Sequence, residues 1–300
     1  MKLATTIGDF VPYGTHAEAI RHIHQAGFRY LDYSFSGDYA RKAGFLGDNP
    51  QAHLETVRET AAALGMQFVQ AHAPIGDALV TGEAYNEFIE ANRRSMEGCA
   101  ALGISNIVVH GVFASGITKQ ETFDGNIRFY GDLLPYAEQY GVNILTENFT
   151  FRRTDPSYRL THAIDMIELI ETINHPLFHA CWDTGHGNMT DVPQDESIRI
   201  LGKHLRALHI QDNNGGSDQH LMPFGGTVNF DSLLHGLLDT GYDGYFTYEC
   251  PHFFLAPAHR RPYPDDTRLQ RPPLELKIKA EALLYEIGKT ILTAYDCYEE

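Results

Sequence analysis

The feature that most constrains this chain is a junction that it repeats. A helical stretch ends on glycine and a short apolar strand follows at once. It reads QAGFRYLDY at 25–33, ALGMQFVQA at 63–71, ALGISNIVV at 101–109 and QYGVNILTE at 139–147. Glycine just past a helix takes the left-handed conformation that closes the last turn. The β-branched and aromatic residues behind it favour extended chain. Helices that feed strands in this way build parallel sheets, whose strands need long crossovers rather than hairpins.

The same alternation runs the length of the sequence. Strands are expected near 2–8, 30–35, 67–73, 106–112, 143–149, 178–183, 206–212 and 245–250. Helical patterns fall at 15–26, 50–64, 83–102, 123–140, 160–173, 195–203, 230–239 and 274–294. Thr15, Asn49 or Asp48, and Asp231 with Phe230 read as helix starts, and Gly27, Gly65, Gly103 and Gly141 follow helix ends. Eight β–α units in 300 residues predict an α/β fold, a single (β/α)8 TIM barrel over 1–300 with its active site at the C-terminal mouth. An open doubly wound sheet is the rival. It usually carries a glycine-rich phosphate turn after its first strand, and IGDFVPYG at 7–14 is not one.

Composition narrows the function classes. Hydrophobic residues at 43% and charged residues at 21% are globular values. No stretch has the length of a membrane span, and Asp9 and Pro12 interrupt any secretory apolar core. A cytoplasmic protein is expected, with no membrane partner. Cys99, Cys181, Cys250 and Cys297 lie far apart without CxxC spacing, which predicts reduced thiols. With 39 acidic against 23 basic residues the formal charge is −16, which argues against a nucleic-acid partner. No GxSxG elbow or HExxH is present, and GKT at 288–290 lacks its first glycine, Leu283 standing there. The segment 251–273 holds six of the 14 prolines and four arginines. It follows the eighth strand, where it could form a lid, an anion clamp or a contact in a homo-oligomer.

The chemistry lies at the strand ends. His72, His110, Glu147, Asp183, His209 and Glu249 end strands three to eight, separated by 38, 37, 36, 26 and 40 residues. Each gap is one β–α unit, so in a closed barrel the six side chains converge at the mouth. Alternation agrees: Leu208 and Ile210 should face the helices and His209 the interior, with Phe246 and Tyr248 out and Thr247 and Glu249 in. Unpaired carboxylates brought together repel. A divalent cation bound by carboxylates and neutral imidazoles resolves the repulsion. A further cluster in HIQDNNGGSDQHLMPFGG, 209–226, offers Asp218 and His220, which with His186 could hold a second metal or a substrate.

Plainer readings exist for single residues. Asp183 in CWDTGHGN would alone read as a helix cap, with the glycine after it permitting a turn. His72 and His110 would alone be packed histidines. Gln211 and Asp212 read as supports for a ligand or as solvated loop. Arg152 and Arg153 read as solvated or as a grip on an anionic group, as do Arg260, Arg261, Arg268 and Arg271. Phe129, Tyr130, Tyr136 and Tyr140 read as helix packing. The in-register set of six is what outweighs these.

The chain resembles the xylose isomerase-like barrels, a superfamily of sugar isomerases and epimerases that includes the endonuclease IV type of DNA-repair enzyme. HAP (72–74), VVH (108–110), TEN (146–148), WDTGH (182–186), HIQDN (209–213), DQHLMPFGG (218–226) and YEC (248–250) carry the resemblance. It implies one divalent metal, Mn²⁺, Co²⁺, Mg²⁺ or Zn²⁺, on Glu147, Asp183, His209 and Glu249. It also implies that Glu147 and Glu249 act as an acid–base pair on either face of a substrate carbon, and that His186 touches substrate oxygens. The expected reaction is isomerisation or epimerisation of a sugar or sugar phosphate, by proton abstraction beside a carbonyl through a metal-stabilised enediolate. A dehydratase or lyase on a sugar-like molecule could use the same site. The ketose 3-epimerases of the superfamily carry a Glu where this chain has Arg153 and an Arg where it has Gly215, so their sugar specificity is not implied. The alternative from another class is an endonuclease IV-like zinc phosphodiesterase on abasic DNA, holding additional Zn²⁺. Its nine-ligand pattern is filled by His72, His110, Glu147, Asp183, His186, His209, Asp218, His220 and Glu249.

Overall fold

The computed structural model describes residues 1–150, 157–250 and 272–300. Arg152, Arg153 and the Pro/Arg-rich stretch up to residue 271 lie outside these. The described residues form eight strands: β1 Lys2–Thr6, β2 Tyr30–Ser34, β3 Gln67–His72, β4 Asn106–Val108, β5 Asn143–Glu147, β6 Phe178–Asp183, β7 Leu205–His209 and β8 Tyr245–Tyr248. They join in one parallel sheet in the order β7-β6-β5-β4-β3-β2-β1-β8. The ring closes at the mouth through Ile210, whose N–H donates to Thr247 O at 2.8 Å while its carbonyl accepts from Glu249 N at 3.1 Å. The fold is the expected (β/α)8 barrel.

The helices are α1 His16–Gln25, α2 Phe35–Arg41, α3 Pro50–Ala63, α4 Glu83–Leu102, α5 Lys119–Tyr140, α6 Ala163–Ile173, α7 Thr184–Asn188, α8 Gln194–Leu201, α9 Phe230–Thr240 and α10 Leu274–Ala294. Thr15 and Asn49 cap α1 and α3 as expected. Two expectations need correction. Helix α5 begins earlier, because Thr118 and Glu121 form a capping box. Helix α9 is capped by Asn229, and Asp231 sits in its first turn. The short helices α2 and α7 have no apolar period long enough to show in sequence.

Strand alternation divides the core. Leu31, Tyr33, Leu208, Ile210, Phe246 and Tyr248 pack outward in the large core that the helices cover. Val108, Leu145, Cys181 and Ala207 form a small apolar layer of their own. On β2, β3 and β8 the inward layer is polar instead: Gln70 Nε2 donates to Asp32 Oδ2 at 2.9 Å, and Thr247 Oγ1 donates to Gln70 Oε1 at 3.3 Å. All four cysteines are free thiols, Cys297 only half-buried. Among the described residues no helix is long and apolar enough to cross a membrane.

Candidate active site and metal centre

His72, Glu147, Asp183 and His209 are the last residues of β3, β5, β6 and β7. His110 and Glu249 sit just beyond their strands, a small correction to the expected strand ends. Strand β4 stops early because the Val109 carbonyl accepts from Tyr130 Oη at 2.9 Å instead of extending the ladder. All six still converge. Glu147, Asp183, His209 and Glu249 each present a donor atom within 4.8 Å of the others. His209 Nδ1 lies 2.8 Å from Glu147 Oε1 and 3.4 Å from Glu249 Oε2.

Two further clusters flank this tetrad. His110 Nε2 lies 2.9 Å from Glu147 Oε2 and 3.2 Å from His72 Nε2. On the other side, Asp218 lies between His186 Nε2 at 3.3 Å and His220 Nε2 at 3.2 Å. Three of these rings are oriented alike. Nδ1 of His72, His186 and His220 is 2.9, 2.8 and 3.0 Å from the carbonyls of Ala73, Asn148 and Glu249. Donation from Nδ1 leaves Nε2 facing the site, the arrangement that prepares an imidazole for a metal or a substrate oxygen.

Local sequence explains the placement. Asp183 caps α7, its Oδ1 accepting from His186 N at 2.6 Å. Trp182 faces the other way, buried with its Nε1 donating to Gln194 Oε1 at 2.7 Å, and so ties β6 to α8. Gly185 has no positive φ, so its role is not the expected turn. A Cβ there would lie 2.2 Å from Cδ of Gln211. Gln211 Nε2 uses that space to reach Asp218 Oδ1 at 2.9 Å and both Asp183 oxygens at 3.2 and 3.3 Å. Asp212 is not solvated either: its carboxylate accepts from the N–H groups of Asn213, Gly226 and Val228 at 2.8, 2.9 and 2.9 Å, holding the loop that carries Asp218 and His220.

Sequence reading passed over Asn148, which accepts from Asp183 N at 2.7 Å and donates to Asp183 O at 3.0 Å. It also passed over Asp32 and Gln70 on the barrel floor. Asn148 adjoins Glu147 in TEN, a signal that was available. Asp32 and Gln70 are joined only by the fold.

The electrostatics fit a cation. Burial, opposed by His186 and reinforced by Glu147, pushes Asp183 up to about 6. Burial also works against Glu147, yet His209 and His110 hold it well below the usual carboxylate range. His186 and His220 are pushed up to about 10: burial opposes their charge, but Asp183 and Asp218 outweigh it at His186, and Asp218 and Glu249 at His220. Burial, with the His209 charge opposing and Glu249 adding to it, pushes Asp32 up to about 7. Three carboxylates and an imidazole this close are a hard-oxygen and nitrogen donor set suited to a divalent ion.

The description of a xylose isomerase-like TIM barrel matches residues 20–269. The chain belongs to that family. It is 28% identical over 189 residues to the uncharacterized protein MJ1311 of Methanocaldococcus jannaschii, an alignment that spans 59% of this chain and 62% of that protein. A probable endonuclease 4 of Geobacter sp. strain M21 is 27% identical over 224 residues, 69% of this chain and 74% of its own length. Fructoselysine 3-epimerase of Escherichia coli O157:H7 is 29% identical over 124 residues, 41% of this chain and 44% of its own. Among solved structures, a D-tagatose 3-epimerase-like protein superposes with a TM-score of 0.74 at 19% identity, covering 99% of this chain and 98% of that one.

Proposed function

We propose that this family member is an enzyme, a divalent-metal-dependent isomerase or epimerase of a sugar or sugar phosphate. The observation that carries the reading is the pair Glu147 and Glu249, both against Nδ1 of one buried histidine and both within one donor tetrad. The epimerase relatives support it. Glu147, Asp183, His209 and Glu249 would hold the metal. A bound divalent cation supplies Lewis acidity, which lowers the cost of negative charge on a carbonyl oxygen and its neighbouring hydroxyl.

The chain's own residues supply the rest. Glu147 and Glu249 can each take a proton from a carbon beside the carbonyl and return one to it. With one carboxylate serving each face the stereochemistry inverts, and return to the adjacent carbon interconverts aldose and ketose. His186, its Nδ1 held by the Asn148 carbonyl, directs Nε2 at a substrate oxygen. The apolar layer of Val108, Leu145, Cys181 and Ala207 lines part of the interior below the site.

Incubation of Mn²⁺-loaded protein with a panel of sugars and sugar phosphates in D₂O tests the reading. The expected result is deuterium at the carbon beside the carbonyl, about 10²–10⁴-fold slower in Glu249→Gln. No exchange with any sugar, or full exchange in Glu249→Gln, would sink it.

A second reading, an endonuclease IV-like zinc phosphodiesterase, is favoured by one specific observation: the tetrad shares Glu147 with the His72–His110 cluster, and on its other side His186 of the third cluster lies 3.7 Å from Asp183 Oδ1. The formal charge of −16 weighs against a DNA partner. Two or three Zn per chain together with cleavage of an abasic duplex would establish it over the sugar reading.

A further inference from the structure

Below the tetrad the barrel floor holds a buried carboxylate that the proposed chemistry does not use. Asp32, in β2, is 3% exposed. Gln70 occupies its Oδ2, and Thr247 in turn holds Gln70. Its Oδ1 has no hydrogen-bond partner among the described residues. Asp32 Oδ2 is 4.0 Å from Nε2 of His209. The two face one small cavity of about 30 Å³, bordered also by Thr6, Ser34, His72 and Glu249. Across the barrel the same depth is filled by Val108, Leu145, Cys181 and Ala207. An apolar side chain would therefore suit the floor, and a carboxylate with an unpaired oxygen is costly there.

We propose that Asp32 is a positioning residue of the metal centre, which faces Nε2–H of His209 across this cavity and so turns Nδ1 towards Glu147 and Glu249. Nδ1 of His209 is already the atom those two glutamates approach, so Nε2 is the ring nitrogen left for a partner. A carboxylate behind a metal-binding imidazole fixes its tautomer and orientation and raises its basicity. It also adds negative charge one ring removed from the cation. The Gln70–Thr247 chain holds the carboxylate in place from the opposite side. The inference rests on the metal-centre reading but not on any particular substrate.

Titration calorimetry of the full chain with Mn²⁺ and with Zn²⁺ tests it in wild type, Asp32→Asn and Thr247→Val, each with the melting temperature of the chelator-treated protein. Asp32→Asn keeps the shape and is expected to weaken metal binding by about 10–100-fold, with no fall in that melting temperature. Thr247→Val removes the far end of the chain without touching charge and should stay within about threefold of wild type. Affinity in Asp32→Asn within about twofold of wild type would overturn the inference, since removal of a working partner costs more than that. Equal weakening in Thr247→Val would overturn it too, because the effect would then be one of packing. Wild type that binds neither ion would overturn the metal centre as well, which separates the two failures.

Discussion

Asp183 Oδ1 accepts the backbone N–H of His186 at 2.6 Å, so one carboxylate both caps α7 and belongs to the donor tetrad. The cap leaves Asp183 free to serve as a ligand as well. A carboxylate has lone pairs for both, and the cap fixes the direction in which the second oxygen points.

These two roles separate on substitution. Asp183→Asn keeps a side chain that caps as well as aspartate but removes the charge. Metal affinity should fall by at least about 100-fold, beyond the range for loss of a supporting group. The chelator-treated melting temperature should hold or rise, because a buried carboxyl pushed up to about 6 is gone. Asp183→Ala should lose about 1 kcal/mol more through the cap. Calorimetry and thermal melts on both variants check this, and equal metal affinity in wild type and Asp183→Asn would remove Asp183 from the site.

Gly185→Ala tests the close approach of Gln211. Its Cβ would lie 2.2 Å from Cδ of Gln211, so the amide must leave Asp183 and Asp218. A loss of about 1–3 kcal/mol is expected for such overpacking, with weaker metal binding in step. Denaturant midpoints read the first and calorimetry the second.

The imidazoles make metal binding depend on pH. Without a cation, His186 and His220 sit at about 10, above the ordinary histidine value near 6.5. Their contribution to stability is therefore complete below about pH 6.5 and lost as pH rises through about 10. His72 has the opposite sign. Burial, then His110, lowers it to about 4, so its contribution is present above about 6.5 and lost as pH falls towards about 4. His209, like His186 and His220, is held above the ordinary histidine value, burial being outweighed by Cys181, Glu147 and Glu249, so a cation that takes its Nδ1 must displace a proton. Mn²⁺ binding should tighten from pH 6 to pH 8 and release protons, measured as a calorimetric enthalpy that changes with the buffer. Affinity flat across that range would mean that His209 is not a ligand.

Metal should also stabilise the fold. At a free concentration about 100 times the dissociation constant, binding to the native state alone adds about 2.7 kcal/mol. Addition of Mn²⁺ to chelator-treated protein should raise the melting temperature by several degrees, and excess chelator should reverse the rise. No shift at saturating metal would contradict the tetrad.

The barrel and its mouth were legible because both are periodic. Each β–α unit returns the chain to the same height, so His72, Glu147, Asp183 and His209 could be aligned by counting residues. What did not show was anything decided across the barrel. Asp32 and Gln70 are 38 residues apart and meet only when β2 and β3 pair. The demand for glycine at 185 comes from Gln211, on a different strand end. Helix α7 is too short for an apolar period, and its cap looked like a ligand because it is placed as one. Gln211 was half-visible: it stands two residues beyond His209 and so shares its inward face.

The seam of the barrel has a consequence for how the protein is assembled. Strands β7 and β8 come last in the chain, and they meet through Ile210, whose carbonyl accepts the N–H of Glu249. One of the two bonds that seal the ring is thus made by the residue that brings the fourth donor. A nascent chain that has not yet added β8 carries Glu147, Asp183 and His209 on three neighbouring strands, with His209 on the open edge. The strand that closes the ring is therefore also the strand that completes the tetrad.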